Sequence, residues 1–241
     1  MSVAVILPTY CEAENVESLI QEIEELKLDL SIAVVDDSSP DGTADIVKKL
    51  QQKYSNIYLI SRPEKLGLGT AITTGFQSIT LLKKQPTYII TMDADYSHNP
   101  QDIPRLIKTA KRGYALVIGS RYYGGKMVGS HLRRRLISRL ANFIAATTIG
   151  MVVRDCTSGF RCYSKDYVKT VLPTLHSETY EIQIETLKQA RLHGFNIKEI
   201  PITFVNRKRG KSKLSAAEAQ AFLTYILRAA LNRLVLIIRQ S

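Results

Sequence analysis

Asp93-Ala94-Asp95 follows directly on the apolar run Tyr88 to Met92. A run of that length and composition predicts a buried strand, so the two carboxylates leave its end together and face whatever cleft lies beyond it. Such a pair suits a divalent ion. Mg²⁺ typically takes one or two carboxylates and completes its shell with water and substrate phosphate, and an ion held there would neutralise a leaving diphosphate. The bland alternative is a solvated turn, since D-x-D tripeptides are common; the strand-end position favours the chemical reading.

A second acidic cluster, Asp36-Asp37-Ser38-Ser39-Pro40-Asp41-Gly42-Thr43, also follows an apolar strand-like run. Pro40-Asp41-Gly42 carries turn chemistry, and Asp41 or Thr43 is suited to cap a helix. Asp37 is free on this reading to accept hydrogen bonds from a nucleobase or ribose, because adjacent carboxylates repel unless a donor lies between them. Lys65-Leu66-Gly67-Leu68-Gly69-Thr70 precedes a helix expected from about Ala71, with no acidic residue through Lys83. Backbone amides at such a start attract anions. No G-K-[ST] follows, so this is not a P-loop, and a plain glycine turn is the alternative.

The elements that must position these residues are legible from periodicity. Val3 to Leu7, Ile32 to Val35, Ile57 to Ile60, Tyr88 to Met92 and Leu116 to Ile118 read as buried strands, while Ala44, Val47, Leu50 and Tyr54, and later Ile103, Leu106, Ile107 and Ala110, recur at helical spacing. Alternating strands and helices predict an α/β protein with a mostly parallel sheet covered on both faces. Ligands of such sheets bind beyond the carboxyl ends of the strands, where Pro8 to Glu14, Asp36 to Thr43, Arg62 to Gly69 and Asp93 to Pro100 all fall. After Ser120 the pattern becomes basic and apolar, with a last helix expected from Leu214 to Ile238.

Composition bounds the rest. The 241 residues are 45% hydrophobic and 23% charged, enough for a large core in one domain with a short appendage. Lys and Arg outnumber Asp and Glu 33 to 22, giving +11, which suits a partner carrying phosphate or anionic lipid. Cys11, Cys156 and Cys162 are too few and too scattered for a disulfide framework or a zinc site and fit a reducing cytosol. Met1 to Leu7 lacks a basic leader region, and the longest uncharged stretch, Leu140 to Val153, falls short of the roughly 20 apolar residues of a spanning helix. His98 lies close to the acidic motif, where a hydrogen-bonding turn histidine is the ordinary reading; His131, His176 and His193 have no assigned role.

Read together, Pro8-Thr9-Tyr10-Cys11-Glu12, Asp36 to Thr43, Lys65 to Thr70, Asp93-Ala94-Asp95-Tyr96-Ser97-His98, Ser120-Arg121-Tyr122, Thr157-Ser158-Gly159-Phe160-Arg161 and Arg207 to Lys213 resemble the dolichyl-phosphate (polyprenyl-phosphate) mannose synthases, family 2 glycosyltransferases of the GT-A fold. The resemblance runs through nearly the whole chain in order. It implies a GDP-mannose donor, Mg²⁺ or Mn²⁺, a polyprenyl phosphate acceptor and inversion at the sugar carbon. By position it implies Pro8, Tyr10, Glu12, Val35 and Asp37 at the nucleoside, Asp93, Ala94 and Asp95 at metal and diphosphate, and Ser97 as a further metal ligand. Arg121, Arg207 and Lys213 resemble the cations around donor and acceptor phosphates, and Arg135 the second acceptor-phosphate arginine. Asp95, Arg121 and Arg135 are thus the residues expected to carry the transfer, with residues 1–120 as the nucleotide-sugar half of one GT-A domain and 121–241 as its acceptor half. Cys11 departs from a usual Asn and Tyr96 from a usual Leu. A phosphate monoester, with a second pKa of about 6, is largely ionised near neutral pH, so no general base is assigned.

The basic Leu132-Arg133-Arg134-Arg135-Leu136 to Arg139 leading into Leu140 to Val153, and Phe222 to Ile238 with Arg228, Arg233 and Arg239, have the character of interfacial segments. They imply a peripheral position at the cytosolic face of a membrane, with a small membrane-anchoring subunit docked on the last helix as a further partner; amphipathic core helices are the alternative. Two rival functions have distinct signatures. A polyprenyl-phosphate glucosyltransferase, or another family 2 glycosyltransferase, would keep the same motifs. A nucleic-acid-binding protein would use the +11 charge, but acidic clusters at the ligand end of the sheet repel a phosphate backbone, so no nucleic acid is expected.

Overall fold

The computed structural model describes residues 2–129, 132–206 and 224, with 132–135 and 137 described as backbone only. The first half alternates β1 (Val3–Thr9), α1 (Val16–Glu24), β2 (Leu30–Asp36), α2 (Thr43–Lys53), β3 (Ile57–Ser61), α3 (Leu68–Thr80), β4 (Tyr88–Thr91), α4 (Ile103–Ala110) and β5 (Leu116–Ser120). Then come β6 (Lys126–Val128), α5 (Leu132–Ile149), β7 (Arg161–Ser164), α6 (Lys165–Val171), α7 (Ile182–Leu192), β8 (Ile197–Pro201) and β9 (Thr203–Val205). The fold is α/β, and its seven-stranded sheet runs β3-β2-β1-β4-β7-β5-β8. Pairing is parallel except where β7 inserts between β4 and β5.

Alternation along β1 shows why the sheet is covered on both faces. Val3, Val5 and Leu7 belong to one apolar layer with α1, α2 and α4, while Ala4 and Ile6 belong to the other with α3, α6 and α7. The helices present matching stripes: Val16, Leu19, Ile20 and Ile23 on α1, and Ile103, Leu106, Ile107 and Ala110 on α4. Gly75 lets α3 lie against β1, since a Cβ there would stand 2.5 Å from Ile6 Cγ2. Register aligns the strand ends: Thr9 pairs with Asp36, Asp36 with Ser61, and Ile6 with Thr91. The four motif loops therefore leave the same edge of the sheet.

The five expected strands form, each extended by one to three residues except β4, which is one shorter. Helix α3 begins at Leu68, before the expected Ala71. Strands β7 and β8, from the second half of the chain, complete the same sheet. The segment expected as a last helix, Leu214 to Ile238, lies outside the described residues apart from Thr224, as do Arg207 and Lys213. Among the described residues no helix is long and apolar enough to cross a membrane.

Candidate active site

A cavity of about 130 Å³ opens beyond the ends of β1, β2 and β4. Of the residues implied at the nucleoside and diphosphate, Pro8, Tyr10, Glu12, Asp37, Asp93, Ala94 and Asp95 line it, joined by Lys65 and by Tyr180 from the loop before α7. Lys65 Nζ stands 5.6 Å from the Tyr10 ring centre, a cation over an aromatic wall. Val35 is different. Its side chain is fully buried in the α3-side core layer, its backbone is paired between β1 and β3, and it does not line the cavity. The turns here are strained: Cys11, Ser38 and Tyr96 have φ of 55°, 51° and 59°. Asparagine tolerates that region better than cysteine, which gives a physical reason for the Asn usual at position 11 among the proteins this chain resembles.

The acidic cluster divides its work. Asp36 is a scaffold: its Oδ1 accepts from Thr9 Oγ1 at 2.8 Å and Ser39 Oγ at 2.6 Å. Asp41 accepts the Thr43 N–H and hydroxyl and, with its other oxygen, the Ala13 N–H, tying the first loop to the second. It holds the turn from outside the helix, because Gly42, with φ of 88°, is the residue at the N-cap of α2. Asp37 has a strong partner that spacing did not suggest. Arg62 Nε donates to Asp37 Oδ1 at 2.6 Å, and the Leu66 N–H reaches Oδ2 at 3.2 Å. Burial pushes the Asp37 carboxyl up, against the pull of Arg62 and of the backbone donors. The donor that two adjacent carboxylates require is thus built in.

Two first-turn amides of the glycine loop are taken up inside the protein and do not face an anion. Gly69 N–H and Thr70 N–H both donate to the Glu178 carbonyl, at 2.9 and 3.2 Å. Both glycines are needed for that approach: a Cβ at Gly69 would stand 2.2 Å from Ser177 O, and one at Gly67 2.5 Å from Glu178 O. The expectation of an anion site on these amides is corrected accordingly. Their work is to dock the 176–181 loop, which carries Tyr180 to the cavity.

Asp93 and Asp95 line the same cavity, and the Asp93 side chain is 41% exposed. Asp95 is buried, with Oδ1 accepting the Ser97 N–H at 3.0 Å. Ser97 lies off the cavity wall, 2% exposed, and its Oγ has no hydrogen-bond partner among the described residues. His98 accepts the Asp93 N–H on Nδ1 at 3.3 Å and stacks on Phe160 at 5.1 Å. Burial, opposed by Asp95 and reinforced by Arg121, pushes its pKa down to about 4, so it is a neutral packing group. Among the described residues no cluster of three His, Cys, Asp or Glu converges on one point. Two carboxylates and a partnerless buried hydroxyl nevertheless suit Mg²⁺ or Mn²⁺ when a diphosphate supplies the remaining oxygens.

Arg121, at the end of β5, is held by an acid that no motif announced. Asp155, fully buried, accepts the Arg121 N–H, Nε at 2.8 Å and a terminal nitrogen at 2.6 Å, and Thr157 Oγ1 takes a further bond at 2.6 Å. Burial works to lower the Arg121 pKa, but Asp155 outweighs it and the net shift is upward. Asp155 receives support in turn, since Glu199 accepts its N–H and that of Arg154. Arg161 is also fully buried and spends its guanidinium on Cys156 O, Ser158 O, Gln183 O and Thr186 Oγ1. It pins the 156–159 loop to the first turn of α7. Arg135 lies on α5, its side chain outside the description.

The family model that the chain matches and the fold that it shares with solved structures make it a glycosyltransferase of the GT-A fold. Residues 4–172 match the model of the family described as glycosyl transferase family 2. The chain belongs to that family. It is 35% identical over 216 residues to polyprenol monophosphomannose synthase of Mycolicibacterium smegmatis, covering 88% of this chain and 81% of that protein. It is 37% identical over 218 residues to undecaprenyl-phosphate mannosyltransferase of Micrococcus luteus, covering 89% and 88%. Its fold is similar to that of glucosyl-3-phosphoglycerate synthase from Mycobacterium tuberculosis in complex with Mn²⁺ and UDP (TM-score 0.68, 19% identity, 96% of this chain and 79% of that one).

Proposed function

We propose that this enzyme transfers mannose from GDP-mannose to a polyprenyl phosphate, with inversion at the anomeric carbon, at the cytosolic face of a membrane. The observation that carries the reading is that Tyr10, Glu12 and Asp37 share one cavity with the Asp93 and Asp95 carboxylates, in a chain aligned over about nine-tenths of its length with two mannosyltransferases named for polyprenyl phosphates. In this reading Tyr10 and Lys65 flank the nucleoside, while Glu12, oriented by Asn15 Nδ2 at 2.9 Å, and Asp37, oriented by Arg62, supply acceptors. Asp93, Asp95 and Ser97 hold a divalent ion. When bound, that ion supplies positive charge to the departing diphosphate.

The acceptor phosphate arrives already ionised, so the protein's task is to align two anions that repel. Arg121 lies off the wall of the nucleotide cavity, and its charge is already balanced by Asp155, which holds the guanidinium in one orientation at the end of β5, ready for phosphate without reorganising during the reaction. Arg135, on the basic start of α5, grips the acceptor phosphate, and Arg207 and Lys213 keep the phosphate-binding roles that the resemblance implies for them. Attack from the side opposite the diphosphate inverts the sugar carbon.

The test is a panel of labelled nucleotide sugars incubated with a short polyprenyl phosphate and Mn²⁺, scored by organic-phase product. GDP-mannose should be the preferred donor, EDTA should abolish transfer, and Asp95→Asn should lose at least about 100-fold in turnover with an unchanged unfolding midpoint. Preference for UDP-glucose would replace the donor assignment; an Asp95→Asn enzyme active across a metal titration would remove the metal site.

A further inference from the structure

The side-chain amide of Gln183, in the first turn of α7, is buried at 3% exposure. Neither its Nε2 nor its Oε1 has a hydrogen-bond partner among the described residues. Burying both ends of an amide unpaired is costly, and native interiors avoid it unless something absent from the bare chain completes the bonds. The backbone around it is far from loose. Arg161 donates to the Gln183 carbonyl at 2.7 Å, the Gln183 N–H reaches Tyr180 O at 3.3 Å, and Thr186 Oγ1 accepts from Arg161 on the next turn. The backbone that carries the side chain is thus held still, while the buried amide itself is left unsatisfied.

Its direction is given by Gly159. A Cβ on that glycine would lie 3.6 Å from Gln183 Nε2 and 3.1 Å from Asp93 Oδ1, so the amide and the carboxylate flank one small space that the missing side chain leaves open. Asp93 also lines the nucleotide cavity, whereas Gln183 and Gly159 lie behind that wall, so the space adjoins the cavity at the carboxylate that the proposed function gives to the diphosphate. In a nucleotide sugar the group attached beyond the diphosphate is the sugar. A carboxamide offers an acceptor and two donors side by side, the pattern that pairs with sugar hydroxyls, which both donate and accept.

We infer that Gln183 binds hydroxyls of the donor sugar and is a specificity-determining residue, its backbone held by Arg161 and its amide facing the space beside Gly159 and Asp93. This deepens the proposed function and rests on it. A site built to hydrogen-bond a hydroxyl discriminates against donors that lack it, because its own buried groups are then left unpaired.

The experiment uses the full chain with Mn²⁺, a short polyprenyl phosphate and whichever nucleotide sugar the wild type transfers, beside analogues each lacking one ring hydroxyl. Gln183→Met, close in volume and without the amide, should lower kcat/KM for the intact donor by roughly 10- to 100-fold. Affinity for the free nucleoside diphosphate and the unfolding midpoint should stay at wild-type values. The wild type should suffer a comparable loss with one analogue, and Gln183→Met should lose nothing further with that analogue. Gln183→Glu, which keeps the shape and the acceptor atoms but removes the donors, is the second variant and should also lose intact-donor activity. Unchanged donor kinetics in both variants, an equal penalty with every analogue, or weakened binding of the free diphosphate would overturn the assignment and leave Gln183 as a structural residue. If the wild type transfers no nucleotide sugar, the underlying reading fails with it; wild-type transfer with an indifferent Gln183 sinks this inference alone.

Discussion

At the scale of single residues, the site is built from charges that are paired before any ligand arrives. Asp37 and Arg62 are 7% and 6% exposed, and each is the other's counter-charge. The sequence marks Asp37 by its place after a strand, but its partner lies across the next strand and helix, beyond the reach of local spacing. The pairing changes what Asp37→Ala should do. Removing one member of a buried pair strands the other, so this variant should be destabilised by about 3 kcal/mol in urea unfolding. Its nucleotide affinity should also fall, by about 1.5 to 3 kcal/mol, if the carboxylate accepts from base or ribose. Calorimetry must be run where the variant remains folded. Wild-type stability would contradict the buried pair, and wild-type affinity would confine Asp37 to a structural role.

At the scale of elements, periodicity was enough for β1 to β5 and for the loops at their ends, because apolar strands and amphipathic helices write their burial directly into residue type. The second half of the sheet was not legible. Strand β7 is short and opens with Arg161, a residue that ordinarily signals solvent; here four carbonyl and hydroxyl oxygens replace water around its guanidinium. The glycine loop was legible as a turn but not as a docking surface, since the carbonyl it receives belongs to Glu178, far along the chain. That contact predicts a long-range effect. Gly69→Ala places a methyl 2.2 Å from Ser177 O, so the loop must retreat and take Tyr180 from the cavity wall. The expected cost is about 1 to 3 kcal/mol of stability, with nucleotide affinity weakened although no residue touching the nucleotide has been replaced. Normal nucleotide binding by Gly69→Ala would show that the 176–181 loop does not shape the pocket.

At the scale of the whole molecule, the net charge of +11 and the surface of α5 point the same way. Leu136, Leu140 and Phe143 are 54%, 59% and 69% exposed, at the spacing of one helix face, and Arg139 is exposed beside them. A core helix would bury these side chains; an interfacial one sinks them into the headgroup boundary while arginines meet anionic lipid. The same helix carries Arg135, so membrane contact and capture of the acceptor phosphate would occur on one element. The chain should therefore sediment with vesicles containing anionic lipid, and less so at high salt. Replacing both Leu140 and Phe143 by Glu should cut that partitioning at least about tenfold, since each apolar side chain removed from the boundary forfeits about 1.5 to 3 kcal/mol. Transfer to a vesicle-borne acceptor should fall with it, while transfer to a short, water-soluble polyprenyl phosphate and affinity for the nucleotide stay near wild type. Arg135→Ala should behave differently: vesicle binding largely kept, and the acceptor constant raised with either acceptor, because a bidentate phosphate grip is lost. Undiminished vesicle binding by the Leu140→Glu, Phe143→Glu chain would show that α5 does not carry the membrane contact, and normal acceptor kinetics in Arg135→Ala would take the acceptor phosphate away from this helix.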